Sequence, residues 1–367
     1  MYAWSTVKMK KIIAILVILP IILSCMLYSN PSLGESNFPL RKTLTTRIEA
    51  DIKEIAVGNT WIAVRTDNAV IALDIETLKT LWTLELQVSS SGEGFQMLDD
   101  RLITASEEQL ILIDKQGNKK EIDVDPDVKT ITRILGVYSD YIYVVGGPEW
   151  DLEAYDISQN RMLWKSRIGR NVGNVFYDPI KNIAYLTKGD LVRAYDNSSG
   201  KVLWEKVDIY GQGTLYSSGI LYMPVQNNIK NTVRLAAVDG ANQETLWEKD
   251  VSYPADFKAS SATVIDNLLI YRGFGMIAVD KSNGNLVWTT LSVDEEFYDI
   301  PVEFDGVIYV KGHGTGAVYA ISMKDGTIIG HARLEDIGGT VISGRIFALK
   351  DGIVFNTINE IVIYKAK

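Results

Sequence analysis

Side chains that could carry out chemistry are scarce in this chain and do not cluster in the sequence. The 367 residues contain one cysteine, Cys25, and two histidines, His313 and His331. A single cysteine excludes an intramolecular disulfide, a cysteine-based zinc site and an iron–sulfur cluster, because each needs several thiols. The sequence also lacks the nucleophile-elbow, zinc-protease and phosphate-loop motifs. We therefore predict no catalytic residue, no cofactor and no metal site.

Two short segments match ligand-binding motifs only in part. Asp123, Asp125 and Asp127 alternate like the first half of a calcium loop. Val128, however, stands where that loop needs glycine, and no glutamate closes the segment. Residues 312–316 (GHGTG) lack the last glycine of a dinucleotide fingerprint and are not followed by a helical pattern. We interpret both segments as surface loops.

Overall composition limits the classes of partner. The net charge is −9, from 37 Lys and Arg against 46 Asp and Glu. Nucleic acid is bound through clustered Lys and Arg, so an acidic chain argues against that partner. Hydrophobic residues make up 47% of the chain, which is enough apolar material for a folded core. The composition thus indicates a globular protein that does not bind nucleic acid.

The N-terminus has the features of an export signal. Lys8, Lys10 and Lys11 precede an apolar stretch at residues 12–23. This stretch is shorter than the ~20 residues of a membrane-spanning helix, as expected for a signal peptide. Counting the apolar residues on to Tyr28 brings it to the lower limit for spanning, so an uncleaved anchor is the alternative.

Cys25 lies directly after the apolar stretch. Residues 22–25 (ILSC) resemble the lipobox of bacterial lipoproteins, in which the cysteine is lipidated and becomes the first mature residue. We therefore predict a lipoprotein signal peptide at 1–24, a flexible tether at 25–39 and a folded body at 40–367. The predicted location is extracytoplasmic, anchored to the bacterial membrane.

A repeated segment dominates the body. Its pattern is Ala, any residue and Asp, followed eight residues after the Asp by Trp. The five complete copies pair Asp74 with Trp82, Asp156 with Trp164, Asp196 with Trp204, Asp239 with Trp247, and Asp280 with Trp288. Degenerate copies at Asp114, Ser322 and Tyr364 complete a series whose members are 40 to 43 residues apart. A period of this size is typical of a repeat architecture.

Each repeat carries signals for four short antiparallel strands. Asp-Asn at 266–267 and Asp-Gly at 305–306 and 351–352 provide the positive φ of two-residue hairpin turns. The Asp of each repeat, or the residue in its place, is called here the anchor. Four residues after their anchors, Gly200 and Gly284 are suited to the left-handed conformation that closes a short turn. One such unit cannot bury both of its faces alone. Eight units therefore predict an all-β fold, an eight-bladed β-propeller.

Closure of the ring is predicted from the two ends of the body. The last repeat supplies only three strands, the final one at 360–366. Residues 40–48 have the composition of the missing outer strand. We expect this N-terminal strand to pair with 360–366, which would remove the open edge of the ring.

The repeat resembles the tryptophan-docking motif of the pyrroloquinoline quinone (PQQ)-like repeat family over nearly all of the body. In that family the Trp of one blade docks against the next blade. The resemblance therefore implies a structural role for the five Trp and five Asp of the complete copies. Repeats 2 and 7 lack the Trp, and we expect looser packing there.

The family contains quinoprotein dehydrogenases and propellers without catalysis. The dehydrogenases carry a vicinal Cys pair, a calcium cage, a catalytic Asp and long insertions, and none of these can be placed on this sequence. The length and the export signal are more similar to the propeller lipoproteins of outer-membrane barrel assembly. The resemblance thus implies a monomeric, non-catalytic binding or scaffold protein with a protein or peptide partner. A small PQQ-dependent oxidoreductase and a carbohydrate-binding module are the alternatives.

A partner face is predicted from the loops. In a propeller, the connections between second and third strands and those between blades gather on one face. Trp150, Arg272, Phe274 and His313 lie in or beside such connections and are not repeat positions. We predict that they form the partner face. Alternatively, Trp150 and Phe274 cover the edge of the core.

Overall fold

A computed structural model shows the fold of most of the body. It describes residues 38–86, 94–106, 109–123, 131–207, 213–227, 232–252, 261–290, 296–297, 299–313, 316–332 and 344–367. Within these ranges the chain forms thirty-two β-strands and no α-helix, hence no helix that is long and apolar enough to cross a membrane. The predicted signal peptide, Cys25 and nearly all of the tether lie outside the described residues.

The strands form eight four-stranded antiparallel sheets, which are the blades. Blade 1 contains β2 (Glu54–Val57), β3 (Trp61–Arg65), β4 (Ala69–Asp74) and β5 (Thr80–Glu85), and blade 2 contains β6 (Phe95–Leu98), β7 (Arg101–Ala105), β8 (Gln109–Ile113) and β9 (Lys119–Asp123). Blade 3 contains β10 (Ile131–Tyr138), β11 (Tyr141–Gly146), β12 (Asp151–Asp156) and β13 (Arg161–Arg167), and blade 4 contains β14 (Val172–Asp178), β15 (Ile183–Lys188), β16 (Leu191–Asp196) and β17 (Val202–Val207).

The second half of the ring continues in the same order. Blade 5 contains β18 (Leu215–Ser217), β19 (Ile220–Asn227), β20 (Thr232–Asp239) and β21 (Thr245–Ser252), and blade 6 contains β22 (Ser261–Ile265), β23 (Leu268–Gly273), β24 (Gly275–Asp280) and β25 (Leu286–Thr290). Blade 7 contains β26 (Val302–Phe304), β27 (Val307–Lys311), β28 (Val318–Ser322) and β29 (Ile328–Ala332), and blade 8 contains β30 (Phe347–Leu349), β31 (Gly352–Asn356), β32 (Glu360–Ala366) and β1 (Leu40–Arg47). The predicted eight-bladed, all-β propeller is confirmed.

The ring is closed by strands from the two ends of the body. In blade 8 the strand order is β1-β32-β31-β30, so the N-terminal strand is the outer strand of the C-terminal blade. Pairing runs antiparallel from Leu40 opposite Ala366 to Arg47 opposite Glu360. The predicted closure is therefore confirmed, and blade 8 has the same four-stranded form as the others.

The core lies between the blades. Second and third strands are buried on both faces, so they read as continuous apolar runs such as Ile142–Val145 in β11. Outer strands are less covered, and in β5 exposed side chains alternate with partly buried ones. The clusters of buried side chains span neighbouring blades: Tyr143 of blade 3 and Tyr195 of blade 4 share one of them.

The two faces of the ring differ in the connections they carry. The face called here the turn face holds the turns from first to second and from third to fourth strands. The opposite face, the loop face, holds the turns from second to third strands and the connections between blades. Backbone bonds join these two kinds of connection on the loop face, as from Leu86 N–H to the Asn68 oxygen (3.1 Å) and from Gly189 N–H to the Asn171 oxygen (3.0 Å). First strands of neighbouring blades, such as β2 and β6, contact each other around the central channel.

Candidate functional site

The anchor aspartates of the complete repeats are the last residues of the third strands, and their carboxylates accept hydrogen bonds from the turn that follows. The carboxylate of Asp280 accepts a bond from the Ser282 N–H at 2.8 Å, and that of Asp196 accepts one from the Ser199 N–H at 2.9 Å. Hydroxyl bonds from the same serines are the main reason that the pKa of each of these carboxyls is lowered. A charged aspartate therefore stabilises this turn on the turn face.

The residue four positions after the anchor has left-handed backbone geometry. The φ values are 54° at Leu78, 54° at Asn160, 68° at Gly200, 66° at Gln243, 75° at Gly284 and 73° at Gly326. Where the residue is glycine, it also lies against the Trp of the preceding blade. A Cβ atom on Gly284 would be 2.7 Å from the Trp247 ring, and one on Gly200 would be 2.7 Å from that of Trp164. Glycine is thus required here by conformation and by close approach.

Each repeat tryptophan forms the same hydrogen bond to the next blade. The indole N–H donates to the carbonyl of the residue directly after the next anchor. The bonds run from Trp82 to Lys115 (2.7 Å), from Trp164 to Asn197 (2.7 Å), from Trp204 to Gly240 (3.0 Å), from Trp247 to Lys281 (3.1 Å) and from Trp288 to Met323 (2.8 Å). In each complete repeat the alanine two residues before the anchor lies opposite the Trp of its own blade, as Ala278 does opposite Trp288. The small alanine leaves room for the ring on its own sheet.

Blades 2, 7 and 8 lack this Trp, and blades 2 and 7 are joined to the next blade in other ways. In blade 2, Lys120 Nζ donates to the Ile157 oxygen at 3.0 Å, which is the carbonyl that a Trp would reach. Between blades 7 and 8, the Phe38 ring packs edge-on against Tyr309 (5.8 Å between centroids) and Tyr364 (5.7 Å). At these junctions a lysine donor and an aromatic side chain from outside the repeat take the place of the docking Trp.

The four residues of the predicted partner face lie on the loop face, but not all together. Trp150 is in blade 3, where it is half-buried against the core between blades 3 and 4. Arg272 is the second-last residue of β23 and is only 2% exposed, so a partner would sense its charge without touching much of its surface. Phe274 is 44% exposed and pairs with Glu296 through the backbone.

His313 is brought close to Phe274 by a shared neighbour. Its N–H donates to the Glu296 oxygen at 2.9 Å, and the adjacent Phe297 N–H donates to Gly273 at 2.9 Å. Thus the loops of blades 6 and 7 are joined here. Trp150 lies three blades away on the same face.

A cavity of about 600 Å³ opens at the loop-face end of the central channel. It is bordered by Lys53 and the whole of β2, by the first three residues of β6, by Asp299, and by the segment that leads into β30. Lys53, Glu54, Asp299 and Arg345 contribute charged groups to its wall, whereas Ile55, Val57, Phe95, Met97 and Phe347 contribute apolar ones. The cavity thus has a charged part next to the interblade connections and an apolar part along the first strands.

Charged residues of the cavity wall form ion pairs with neighbouring residues. Asp299 forms an ion pair with Lys311 at 2.7 Å, Glu54 with Arg65 at 3.1 Å and Lys53 with Asp67 at 3.2 Å. Burial lowers the pKa of Arg272 to about 10; Asp299 favours the charged guanidinium and nearby Arg345 opposes it. Arg345 is exposed and makes no ion pair with any described residue.

A cluster of metal-binding side chains is not found in the part of the chain that the structure describes. No group of three or more His, Cys, Asp or Glu side chains there could hold a metal ion. The partial calcium motif continues beyond Asp123 outside the described residues, as do Gly314 and Thr315 of the GHGTG segment.

The chain is similar to known proteins in part of its sequence and in its fold. Residues 230–343 match the family model for outer membrane protein assembly factor BamB. The architecture is BamB-like. BamB from Moraxella catarrhalis has a TM-score of 0.64 at 14% identity, and the alignment covers 89% of this chain and 99% of that one. No curated protein matches the chain by sequence.

Structures other than BamB share the fold. The computationally designed Ika8 protein has a TM-score of 0.64 at 12% identity, covering 88% of this chain and 98% of that one. Quinohemoprotein alcohol dehydrogenase from Comamonas testosteroni also has a TM-score of 0.64 at 12% identity, covering 92% of this chain and 78% of that one. At these identities the likeness establishes the propeller fold and leaves activity to the residues of this chain.

Proposed function

We propose that this BamB-like propeller is a non-catalytic binding or scaffold protein, exported and held at the bacterial membrane by its N-terminal segment. The observation that carries the proposal is that the repeat residues have structural roles. The Asp and Trp of the complete repeats serve the turns and the contacts between blades. The loop face is then the part of the ring that is available for a partner. Trp150, Arg272, Phe274 and His313 are proposed to belong to this face.

The proposed partners are proteins that take part in assembling the outer membrane, by analogy with the assembly factor whose family model matches. Deleting the gene in its host and measuring the folded fraction of outer-membrane barrel proteins tests this role. We expect a lower folded fraction that is restored by the wild-type gene. An unchanged fraction in the deletion strain would exclude a role in barrel assembly.

Cys25 is proposed as the lipid anchor. In a Cys25→Ser variant the thiol that would carry the lipid is missing, so we expect the protein to move from the membrane fraction to the soluble fraction. Fractionation of the host expressing the full chain measures this. A variant that stays in the membrane fraction would instead support the uncleaved anchor that the apolar stretch at 12–23 also allows.

A quinoprotein oxidoreductase is the second candidate, since the fold of a quinohemoprotein alcohol dehydrogenase covers 92% of this chain. The purified full-length protein, incubated with PQQ and calcium, should then reduce a redox dye in the presence of a primary alcohol. We expect no PQQ-dependent reduction, because no residues of this sequence match the cysteine pair and calcium cage of those enzymes. Measurable turnover would replace the scaffold proposal.

A further inference from the structure

The cavity at the channel mouth collects positive charge in a chain whose net charge is −9. Its wall and the direct partners of the wall contain five cationic groups, Lys53, Arg65, Arg272, Lys311 and Arg345, and three carboxylates, Glu54, Asp67 and Asp299. These residues come from blades 1, 6 and 7 and from the connections that precede blades 1, 7 and 8. The wall itself carries two cations and two carboxylates, and the partners of the wall raise the excess of cationic groups in this set to two.

The carboxylates are already engaged within this group. Glu54 and Asp67 each have an ion-pair partner at 3.1 and 3.2 Å. Asp299 contacts Lys311 at 2.7 Å and is also the carboxylate that favours the charged form of Arg272. Arg345, by contrast, forms no ion pair with any described carboxylate. An anionic group beside Arg345 would thus reduce the repulsion between the two arginines.

Apolar surface continues from the cavity onto the loop face. Inside, Phe95 and Met97 contribute to the wall along β6. Outside, Phe274, Ile300 and Ile358 are exposed by 44%, 42% and 38%. They belong to the connections of blades 6, 7 and 8, and Ile358 bonds through its oxygen to Ile52 N–H, next to Lys53. Such an area is wider than one small ligand and fits a polypeptide that is both acidic and apolar.

We infer that the channel mouth binds an extended, acidic segment of a protein partner, with a carboxylate beside Arg345 and apolar side chains against the Phe95 and Met97 wall. This inference rests on the proposed scaffold function and names the chemistry of its partner. The charge complementarity of the mouth favours the acidic segment over a basic one.

The test uses the full-length protein and a short fluorescent peptide in which glutamate alternates with leucine, followed by anisotropy. Peptides with glutamine or lysine in place of glutamate are the ligand controls. Arg345→Gln removes the exposed arginine of the mouth. Arg170→Gln is the matched variant, because Arg170 is an exposed arginine of the loop face between blades 3 and 4, away from the cavity.

We expect the glutamate peptide to bind, and Arg345→Gln to raise its dissociation constant about five- to tenfold, with more effect at low salt. Arg170→Gln should change it by less than about twofold. Absence of binding, equal binding of the three peptides, or equal loss in both variants would overturn the inference while leaving the scaffold function intact. Displacement of the peptide by PQQ together with dye reduction would instead overturn the scaffold function itself.

Discussion

At the scale of single residues, each complete junction between blades brings together an indole N–H, a backbone carbonyl and a turn closed by aspartate. At most of these junctions a glycine of that turn also lies under the indole. The indole bond measures 2.7 to 3.1 Å at the five repeat tryptophans. A buried indole N–H without an acceptor would be unfavourable, so the position of the turn is fixed relative to the ring. These contacts explain the residue types of the repeat without any catalytic role.

A turn glycine can be required by its positive φ or by the close approach of a neighbouring side chain, and comparing Gly284 with Gly306 separates the two requirements. Both have positive φ, 75° and 72°, but a Cβ on Gly284 would meet Trp247 whereas one on Gly306 would meet nothing within 4 Å. We expect Gly306→Ala to lower the free energy of unfolding by about 1 kcal/mol and Gly284→Ala by about 2–4 kcal/mol. Urea denaturation measures both. Equal losses would show that the Trp contact adds nothing.

At the scale of elements, β1 does more than supply the missing outer strand of blade 8. Phe38, just before β1, is 3% exposed and contacts Tyr309 of blade 7 and Tyr364 of blade 8. It lies at the junction where blade 7 has Gly330, opposite Ala320, in place of the docking Trp. The closing strand therefore also completes the packing of the ring at this junction.

Phe38→Ala tests this role of the closing segment. The variant leaves a cavity between two blades, so we expect the free energy of unfolding to fall by about 3–4 kcal/mol. Phe274→Ala is the matched control, since Phe274 is 44% exposed and its loss should cost less than about 1 kcal/mol. Chemical denaturation of the two variants measures the difference. Similar values for both would contradict a closing role for Phe38.

Some elements were predictable from sequence and others were not, for physical reasons. The Asp–Trp spacing reveals the blades because every repeat must solve the same packing problem. The predicted Asp-Gly turn at 351–352 is wrong: the turn is at 350–351, and Gly352 lies in β31. A Cβ there would clash with the Tyr364 oxygen, so Gly352 is needed for a close approach between strands, although the Asp-Gly pair reads as a turn signal in the sequence.

The residues that replace the docking Trp were also hidden from sequence. Lys120 performs the donor role with different chemistry, and Phe38 lies outside the repeat. The channel mouth has no signature in the sequence, because its charged groups, such as Lys53, Arg272 and Arg345, come from distant parts of the chain and form no local motif. Only the closed ring brings them together.

At the scale of the whole molecule, the repeated aspartates make the stability of the fold depend on pH in the acidic range. The pKa is lowered at six carboxyls of the turn face: Asp74, Asp114, Asp156, Asp196, Asp280 and Asp325. Because the pKa is lowered in the folded state, each carboxylate contributes stability at pH values above 3.8, its ordinary pKa. That contribution is lost as the pH falls through the lower folded value.

We therefore expect a melting temperature that is nearly constant around neutral pH and falls once the pH drops below about 4. In an Asp196→Asn/Asp280→Asn double variant two of the titrating groups are missing, while the amide oxygens can still accept the turn bonds. Its acid-dependent fall should be smaller than that of the wild type. A series of thermal melts at decreasing pH measures this, and an identical fall in both proteins would contradict the assignment.

The ring as a whole presents two chemically distinct faces. The turn face carries the anchor aspartates and the carbonyls that accept the docking bonds. The loop face carries the cavity, the cationic mouth and the exposed apolar side chains around it. This division is the basis for assigning partner binding to the loop face.

Photo-crosslinking from both faces of the full-length protein in its host tests this assignment most directly. The probe replaces Phe274 on the loop face or Ile180, which is 88% exposed on the turn face in the first turn of blade 4. We predict a discrete crosslinked protein from position 274 and none from position 180. Crosslinks of equal yield from both positions, crosslinks from position 180 alone, or none from either would contradict a binding propeller with its partner on the loop face.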